Sequence, residues 1–208
     1  MIKSCCPFLC LRWLSVFLLI LPAIIEGQEN AEIRKIRIQG NETFNKGELV
    51  EKVSFAEASW VKKTFFKKEP SFFSREAWEM NKEQLRAFYQ SEGFLHVEIK
   101  NLQVDLHPRK YKVDLAFDIE ENAPVILDTV TFSTEKGGYR DSVFQLADFG
   151  RLQKKLSARR DQRFRDELVK KDQEQIASWV SSQGYAYASV DPNISLSADT
   201  STAALEWQ

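Results

Sequence analysis

The sequence has little of what thiol chemistry requires. Its only cysteines, Cys5, Cys6 and Cys10, lie within the first ten of 208 residues. A segment without cysteine forms no disulfide and offers neither a thiol nucleophile nor a thiolate ligand for a metal. The rest of the chain therefore depends on packing and hydrogen bonding for its stability, and on other side chains for its function.

Histidine is equally scarce, and His96 and His107 are the only two. The first lies in a predicted strand and the second beside Pro108 in a predicted turn, which matches no metal-ligand spacing. The sequence also lacks the G-x-S-x-G and H-E-x-x-H motifs and a phosphate-binding glycine loop. Glu120 and Glu121 are adjacent, but neighbouring strand residues point to opposite faces, so they do not suit a shared catalytic site. We expect no enzyme activity, no metal and no cofactor.

The chain lacks a charge excess of either sign, because its net charge is −1. A nucleic-acid-binding protein usually carries a basic face, so no nucleic-acid partner is expected. With 43% hydrophobic and 28% charged residues, the composition is that of an ordinary globular protein. The length leaves room for one large or two small domains.

The N-terminus contains a short hydrophobic run. Lys3 and Arg12 precede an apolar core from Leu14 to Ile25, and polar residues follow, which is the layout of a secretory signal peptide. A bilayer-spanning helix needs roughly 20 apolar residues, so this shorter core favours a cleaved signal over residues 1–27, with Gln28 starting the mature chain. No A-x-A cleavage pattern is present, and an uncleaved anchor is the alternative. Export without further cysteines suits a bacterial protein.

A segment of the chain occurs twice in similar form. "LRAFYQSEGFLHVEI" is followed downstream by "IASWVSSQGYAYASV", in which Gly184 lies 91 residues after Gly93. The same offset relates four further pairs: Phe73 with Phe164, Asn81 with Asp172, Leu85 with Ile176, and Phe94 with Tyr185. Each unit is therefore about 90 residues long, which is too long for a solenoid repeat but suits a small α/β module.

The first half of each unit has the pattern of one strand and two helices. "IRKIRIQ" alternates apolar and polar residues and ends at a Gly40-Asn41 turn. A helix is predicted in "KGELVEKVSF", and a longer one over about residues 75–92 with Ser74 as its N-cap. Gly93 follows the last apolar pair, where a residue that tolerates positive φ best ends a helix.

The second half of each unit has the pattern of a hairpin. In "FLHVEIKNLQVDL" the apolar residues change phase, which predicts a bulge near Asn101. "YKVDLAFDI" alternates more regularly, with Lys112, Asp114 and Asp118 predicted to face outward. The residues predicted to face inward are Tyr111, Val113, Leu115, Phe117 and Ile119.

The sequence therefore predicts an α+β fold of tandem β-α-α-β-β modules, each a three-stranded sheet with two helices on one face. The modules are predicted over residues 31–122 and 123–208. Because "TAALEWQ" falls where the final strand should be in progress, we expect the second module to be truncated there and the chain to belong to a longer protein.

The "I-x-I-x-G-N" opening, the helix ending "Y-x-x-x-G-[FY]" and the link "D-I-E-E-N-A-P-V" resemble POTRA (polypeptide-transport-associated) domains of the BamA/TamA outer-membrane protein assembly family. The resemblance implies a periplasmic N-terminal region, attached to the outer membrane through a β-barrel expected downstream. It also implies unfolded outer-membrane proteins and accessory assembly proteins as partners. A division-type POTRA protein on an uncleaved inner-membrane anchor, acting as an interaction scaffold, is the alternative.

The resemblance also implies which strand is an open sheet edge, namely the one after the glycine. An open edge pairs with another extended chain by β-augmentation. The alternative is that these edges only pack against the neighbouring module or accessory partners. The candidate client-binding residues are Leu95, Val97, Ile99, Leu102, Val104, Ala186, Ala188, Val190, Ile194 and Leu196.

A second candidate surface lies in "SWVKKTFFKKEPSFF", where lysines alternate with aromatic residues. That composition suits a membrane surface or a partner protein. It also suits a single-stranded nucleic acid, which an exported protein is not expected to meet. The alternative is that the aromatic side chains pack on the module while water solvates the lysines. The residues concerned are Trp60, Lys62, Lys63, Phe65, Phe66, Lys67 and Lys68.

Overall fold

The computed structural model describes residues 31–53, 71–107, 111–134 and 141–208. The predicted signal peptide over residues 1–27 and the aromatic-lysine patch from Trp60 to Lys68 lie outside the described residues. Both predicted modules fall largely within the described ranges.

The first module follows the predicted order of elements and adds one short strand. The elements are β1 (Ala31–Gln39), α1 (Lys46–Glu51), β2 (Phe72–Phe73), α2 (Arg75–Ser91), β3 (Glu98–His107) and β4 (Lys112–Glu120). Strand β1 is parallel to β4, and the sheet has the order β2-β1-β4-β3. Strand β2 is too short to show a period in the sequence, and its antiparallel pairing with β1 makes the sheet four-stranded.

The second module repeats this plan with a three-stranded sheet. The elements are β5 (Ile126–Phe132), a short 3-10 helix (Asp141–Gln145), α3 (Phe149–Lys155), α4 (Asp166–Ser182), β6 (Pro192–Leu196) and β7 (Thr202–Trp207). The strand order is β5-β7-β6, in which β5 is parallel to β7 and β7 pairs antiparallel with β6. The predicted α+β class of tandem modules is confirmed.

Each module has its own hydrophobic core between the sheet and the helices. In the first core the rings of Trp78 and Phe117 meet edge to face with centroids 5.0 Å apart. In the second core Leu205 and Trp207 of β7 are buried beneath the helices. The paired positions Asn81 and Asp172 are both buried, and the Asp172 carboxylate accepts hydrogen bonds from the Ser157 and Ala158 N–H groups just after α3.

The ends of the long helix α2 follow from local chemistry. The Ser74 side chain accepts a hydrogen bond from the Ala77 N–H, as the N-cap prediction requires. At the other end Gly93 has φ +93°, and the Phe94 N–H returns to the Tyr89 carbonyl. Gly184 repeats this stop after α4 with φ +95°. Both glycines end their helices, as predicted.

The predicted bulge in β3 is confirmed. The pairing of β3 with β4 changes register between Lys100 and Gln103, and Asn101 there has φ +56°. A second bulge, in β1 between Ile33 and Lys35, was not predicted. It explains why Ile33 and Ile36 are both buried although they are three residues apart.

Two predicted orientations in the last strand of the first module are wrong. Tyr111 precedes β4 with φ +46° and is 78% exposed instead of facing inward. Asp114 was predicted to face outward but is buried, because Arg34 of the adjacent strand β1 covers it and donates two hydrogen bonds to its carboxylate. A pattern within one strand does not show which cation a neighbouring strand will supply.

Candidate functional site: the open sheet edges

Two strands are sheet edges that follow a helix-ending glycine. Strand β3 pairs with β4 alone and β6 pairs with β7 alone, within the part of the chain that the structure describes. The outer side of each strand therefore carries backbone N–H and C=O groups directed away from the sheet. These are the two edges at which the family resemblance implied client binding.

The first edge begins later than predicted. Leu95 and Val97 lie in the turns before β3, while Ile99, Leu102 and Val104 lie within it. Leu95 packs against the second hydrophobic core, and Val97 is buried in the first. Their alternation with polar residues predicted a strand. Their side chains instead pack in two different cores, and the backbone there forms turns.

The second edge also begins later than predicted. Ala186, Ala188 and Val190 precede β6, whereas Ile194 and Leu196 belong to it. The Ala188 N–H bonds to the Tyr185 carbonyl in a turn, and the Val190 carbonyl accepts a hydrogen bond from the Gln173 side chain of α4 at 2.7 Å. These bonds hold the segment before β6 in a turn and against α4.

Charged and polar side chains surround the first edge. Lys100 contacts Glu98 of its own strand and Glu120 of β4, the latter at 2.8 Å. The hydrogen bond to Glu120, and then that to Glu98, raises the pKa of Lys100, and the bond from Lys100 lowers the pKa of Glu98. Asn101 at the bulge donates to the Asp118 carboxylate at 2.8 Å. This edge is therefore tied to its neighbour β4 by side chains as well as by backbone.

A contact between the modules lies at the start of the first edge, where Arg163 and Arg165 meet the buried carboxylate of Glu92 at 3.0 and 2.8 Å. The Arg163 guanidinium also lies 5.1 Å from the ring centroid of Phe94. In addition, the Gly93 carbonyl accepts a hydrogen bond from the Val125 N–H at 2.8 Å. From the sequence, packing of this edge against the neighbouring module was only an alternative, and the ion pairs that form the contact were not indicated.

Glu120 and Glu121, which the sequence does not favour as a shared acid pair, lie in different surroundings. The Glu120 side chain is exposed beside Lys100, whereas Glu121 is buried and accepts hydrogen bonds from Thr43 and Tyr89. Burial, and then the bond to Glu121, raises the pKa of Tyr89. No group of three or more potential ligands is placed to hold a metal ion in the described ranges.

The two histidines also lie apart. The His96 ring nitrogen Nε2 contacts the Thr200 hydroxyl in the turn between β6 and β7, across the two modules. The ring nitrogen Nε2 of His107, at the end of β3, lies 3.6 Å from the Oδ2 of Asp114. His96 therefore has a hydrogen-bond partner, whereas the His107 Nε2 is buried and lies beyond hydrogen-bond distance of Asp114. None of the helices that the structure describes combines the length and apolar character required to cross a bilayer.

The sequence matches a protein-family model whose description is "POTRA: Surface antigen variable number repeat". The match covers residues 31–122 and 150–206. A search of curated proteins found no match.

Several solved structures are also similar to this chain. For POTRA3-5 of BamA from Haemophilus influenzae, the identity is 20% and the TM-score 0.44, over 85% of this chain and 65% of that one. For BamA from Haemophilus ducreyi lacking POTRA domains 1-3, the identity is 13% and the TM-score 0.44, over 85% and 28% of the two chains. For POTRA1-2 of Omp85 from Anabaena, the identity is 14% and the TM-score 0.38, over 86% and 96%. The chain thus spans less than two thirds of the length of the first two of these structures.

Proposed function

Because the chain belongs to the POTRA family, we propose that it is the periplasmic scaffold region of an outer-membrane protein assembly or translocation factor. In this role it binds unfolded outer-membrane polypeptides, here called clients, and accessory assembly proteins. It performs no catalytic step of its own. Its contribution is to hold an extended chain on a folded surface.

One observation carries this proposal, namely the pair of open sheet edges. Each edge offers backbone hydrogen-bonding groups to an incoming strand. Main-chain bonds supply affinity with little demand on the client's sequence, which suits the transient handling of many different polypeptides. An open edge is an aggregation hazard that native proteins usually protect. An edge left open is therefore consistent with a strand-binding role.

The proposed location follows from the N-terminal segment. The basic residues and short apolar core direct export, and a β-barrel expected downstream attaches the full-length protein to the outer membrane. Determining the N-terminal residue of the protein isolated from cells tests this. A start near Gln28 supports it, whereas an intact Met1 would favour the inner-membrane anchor of the division-type alternative.

Photocrosslinking tests client binding at the edges. A photoreactive amino acid is introduced at Gln103 in β3, at Ser195 in β6, or at Gln84 on the exposed side of α2 as a control. An outer-membrane β-barrel polypeptide diluted from urea should crosslink to at least one edge position and not to Gln84, and the same polypeptide already folded in detergent should not crosslink. Equal crosslinking from all three positions would contradict the proposal.

A further inference from the structure

The two open edges differ in how well they can pair with another chain. Along β3 the register with β4 breaks between Lys100 and Gln103, where Asn101 adopts a left-handed conformation. A bulge twists an edge and interrupts the row of backbone groups, and charged side chains discourage further pairing. Both devices are present in β3, since Glu98, Lys100 and Asp105 are exposed on it. The first edge is protected.

Strand β6 lacks both devices. Its pairing with β7 is continuous from Pro192 to Leu196, and none of its five residues is charged. Ile194 and Leu196 are 40% and 48% exposed, whereas Val104 and Leu106 of β3 are partly buried against the first core. The second edge is therefore regular and uncharged, with two exposed apolar side chains, and Pro192 at its first position is the one residue of β6 that cannot donate a backbone hydrogen bond.

The hydrogen bonds at the two ends of β6 show which backbone groups face outward. Asp191 and Gln208 exchange both N–H···O bonds, and the Ser197 N–H bonds to the Thr202 carbonyl. In an antiparallel pair every second residue bonds to the neighbouring strand. The backbones of Asn193 and Ser195 therefore face β7, and those of Ile194 and Leu196 face away from the sheet.

The side chains of Ile194 and Leu196 determine which side chains are favoured on an added strand. Ile194 lies opposite Leu205, and Leu196 lies opposite Ala203. Because Leu205 and Ala203 are buried in the core, Ile194 and Leu196 lie on the helix-covered face of the sheet. An added strand would place every second side chain beside Ile194 and Leu196, where burial favours apolar groups. Its remaining side chains would lie on the other face with the polar residues Asn193 and Ser195.

We propose that β6, and not β3, is the strand that binds clients, and that it selects extended segments in which apolar residues alternate with polar ones. This rests on the proposed function and decides between its two edges. Strand β3 then serves to hold the first module together and contributes no client affinity.

The test uses a short fluorescent peptide in which valine alternates with threonine between terminal lysines. A peptide of the same composition with its valines grouped together is the control. Ile194→Pro removes an outward N–H that β7 does not use, so the fold should survive, as proline is tolerated on sheet edges. Ile194→Lys and Val104→Lys form a matched pair, because both residues are apolar edge residues opposite a fully buried leucine.

Fluorescence anisotropy should show that the alternating peptide binds and that the grouped peptide binds at least about tenfold more weakly. Both Ile194 variants should weaken binding by about tenfold or more, and Val104→Lys should change it by less than about twofold. Thermal unfolding identifies any variant that fails to fold. Ile194→Pro removes a backbone N–H, whereas Ile194→Lys keeps that N–H and adds a charge, so the test needs only one of the two to fold.

Three results would overturn this inference. Loss of binding in Val104→Lys, with binding retained in the Ile194 variants, would assign clients to β3 and leave the proposed function standing. Retention of binding in every variant would exclude both edges. Failure of the wild-type protein to bind either the peptide or a urea-diluted barrel polypeptide would remove the proposed function itself.

Discussion

At the scale of single residues, the buried carboxylate of Asp114 is the clearest departure from the sequence pattern. Arg34 donates from Nε to its Oδ1 at 2.7 Å and also contacts Oδ2, while Arg37 and His107 lie within 4 Å of the same carboxylate. The hydrogen bonds from Arg34, more than its charge or that of His107, hold the pKa of Asp114 below its usual range. The ion pair therefore buries the Asp114 carboxylate while Arg34 itself stays half exposed.

Asp114→Asn is expected to reduce the free energy of unfolding at neutral pH by about 1–2 kcal/mol. This is near or below the lower end of the range of about 1.5–3 kcal/mol for hydrogen bonds to charged groups, because Arg34 is half exposed and screened by water. A lowered folded-state pKa stabilises the protein above the unfolded pKa of about 3.9, and that stability is lost as the pH falls through the folded value. The gap between wild type and variant should therefore be full at neutral pH and shrink in acid.

Urea unfolding at several pH values measures this gap. Asp105→Asn is the matched control, because Asp105 also faces Arg37 but is 63% exposed and 3.6 Å away. It should change the free energy of unfolding by less than about 0.5 kcal/mol. A gap for Asp114→Asn that is independent of pH would mean that the carboxylate's charge is not what stabilises the fold.

At the scale of elements, the two helix-ending glycines share a backbone conformation but not their surroundings. Gly93 and Gly184 have φ +93° and +95°. A Cβ on Gly93 would lie 2.5 Å from the Phe164 carbonyl oxygen of the second module, whereas a Cβ on Gly184 would meet nothing within 4 Å. One glycine therefore both ends a helix and permits close approach, and the other only ends a helix.

Alanine substitutions separate these two roles. Gly184→Ala should cost about 1–2 kcal/mol from left-handed backbone strain alone. Gly93→Ala should cost about 1–3 kcal/mol more, because the added methyl group clashes with backbone that cannot rotate away. Denaturant unfolding of the two variants measures the difference, and equal costs would show that the contact at Phe164 yields without penalty.

How much the sequence could predict depends on whether a feature rests on local chemistry. The Ser74 cap, the glycine stops and the bulge at Asn101 were predictable because each depends on conformational preferences of nearby residues. The burial of Asp114 and the late start of β6 were not, because they depend on Arg34 and Gln173, which lie on other elements. The sequence likewise indicated both edges, but the exposure of Ile194 and Leu196 is a property of the folded module.

At the scale of the whole molecule, the contact between the modules joins them at the point where the first edge begins. Glu92 at the end of α2 is 9% exposed at its side chain and is paired with Arg163 and Arg165. Leu95 reaches into the second core, and His96 contacts the β6–β7 turn at Thr200. This contact holds the turn that leads out of β6 against the first module.

Glu92→Gln is expected to weaken the contact, because it leaves two arginines partly buried without their anion. Since both arginines retain some exposure, the cost should be about 2 kcal/mol, less than for a fully buried pair. Calorimetry should then show the modules unfolding at more widely separated temperatures than in the wild-type protein. The control is Glu83→Gln, which breaks an exposed pair with Arg86 and should cost less than about 0.5 kcal/mol. A calorimetric profile identical to that of the wild type would show that the ion pairs do not join the modules.

The central claim, that an extended client adds a strand to β6, is tested most directly by amide hydrogen exchange at single residues. In the free protein the amides of Asn193 and Ser195 should be protected by β7, while those of Ile194 and Leu196 exchange rapidly. With the alternating peptide at saturation, exchange at Ile194 and Leu196 should slow by about tenfold or more, and the amides of β3 should not change. Rapid exchange at Ile194 and Leu196 while the peptide is bound would contradict strand addition at β6.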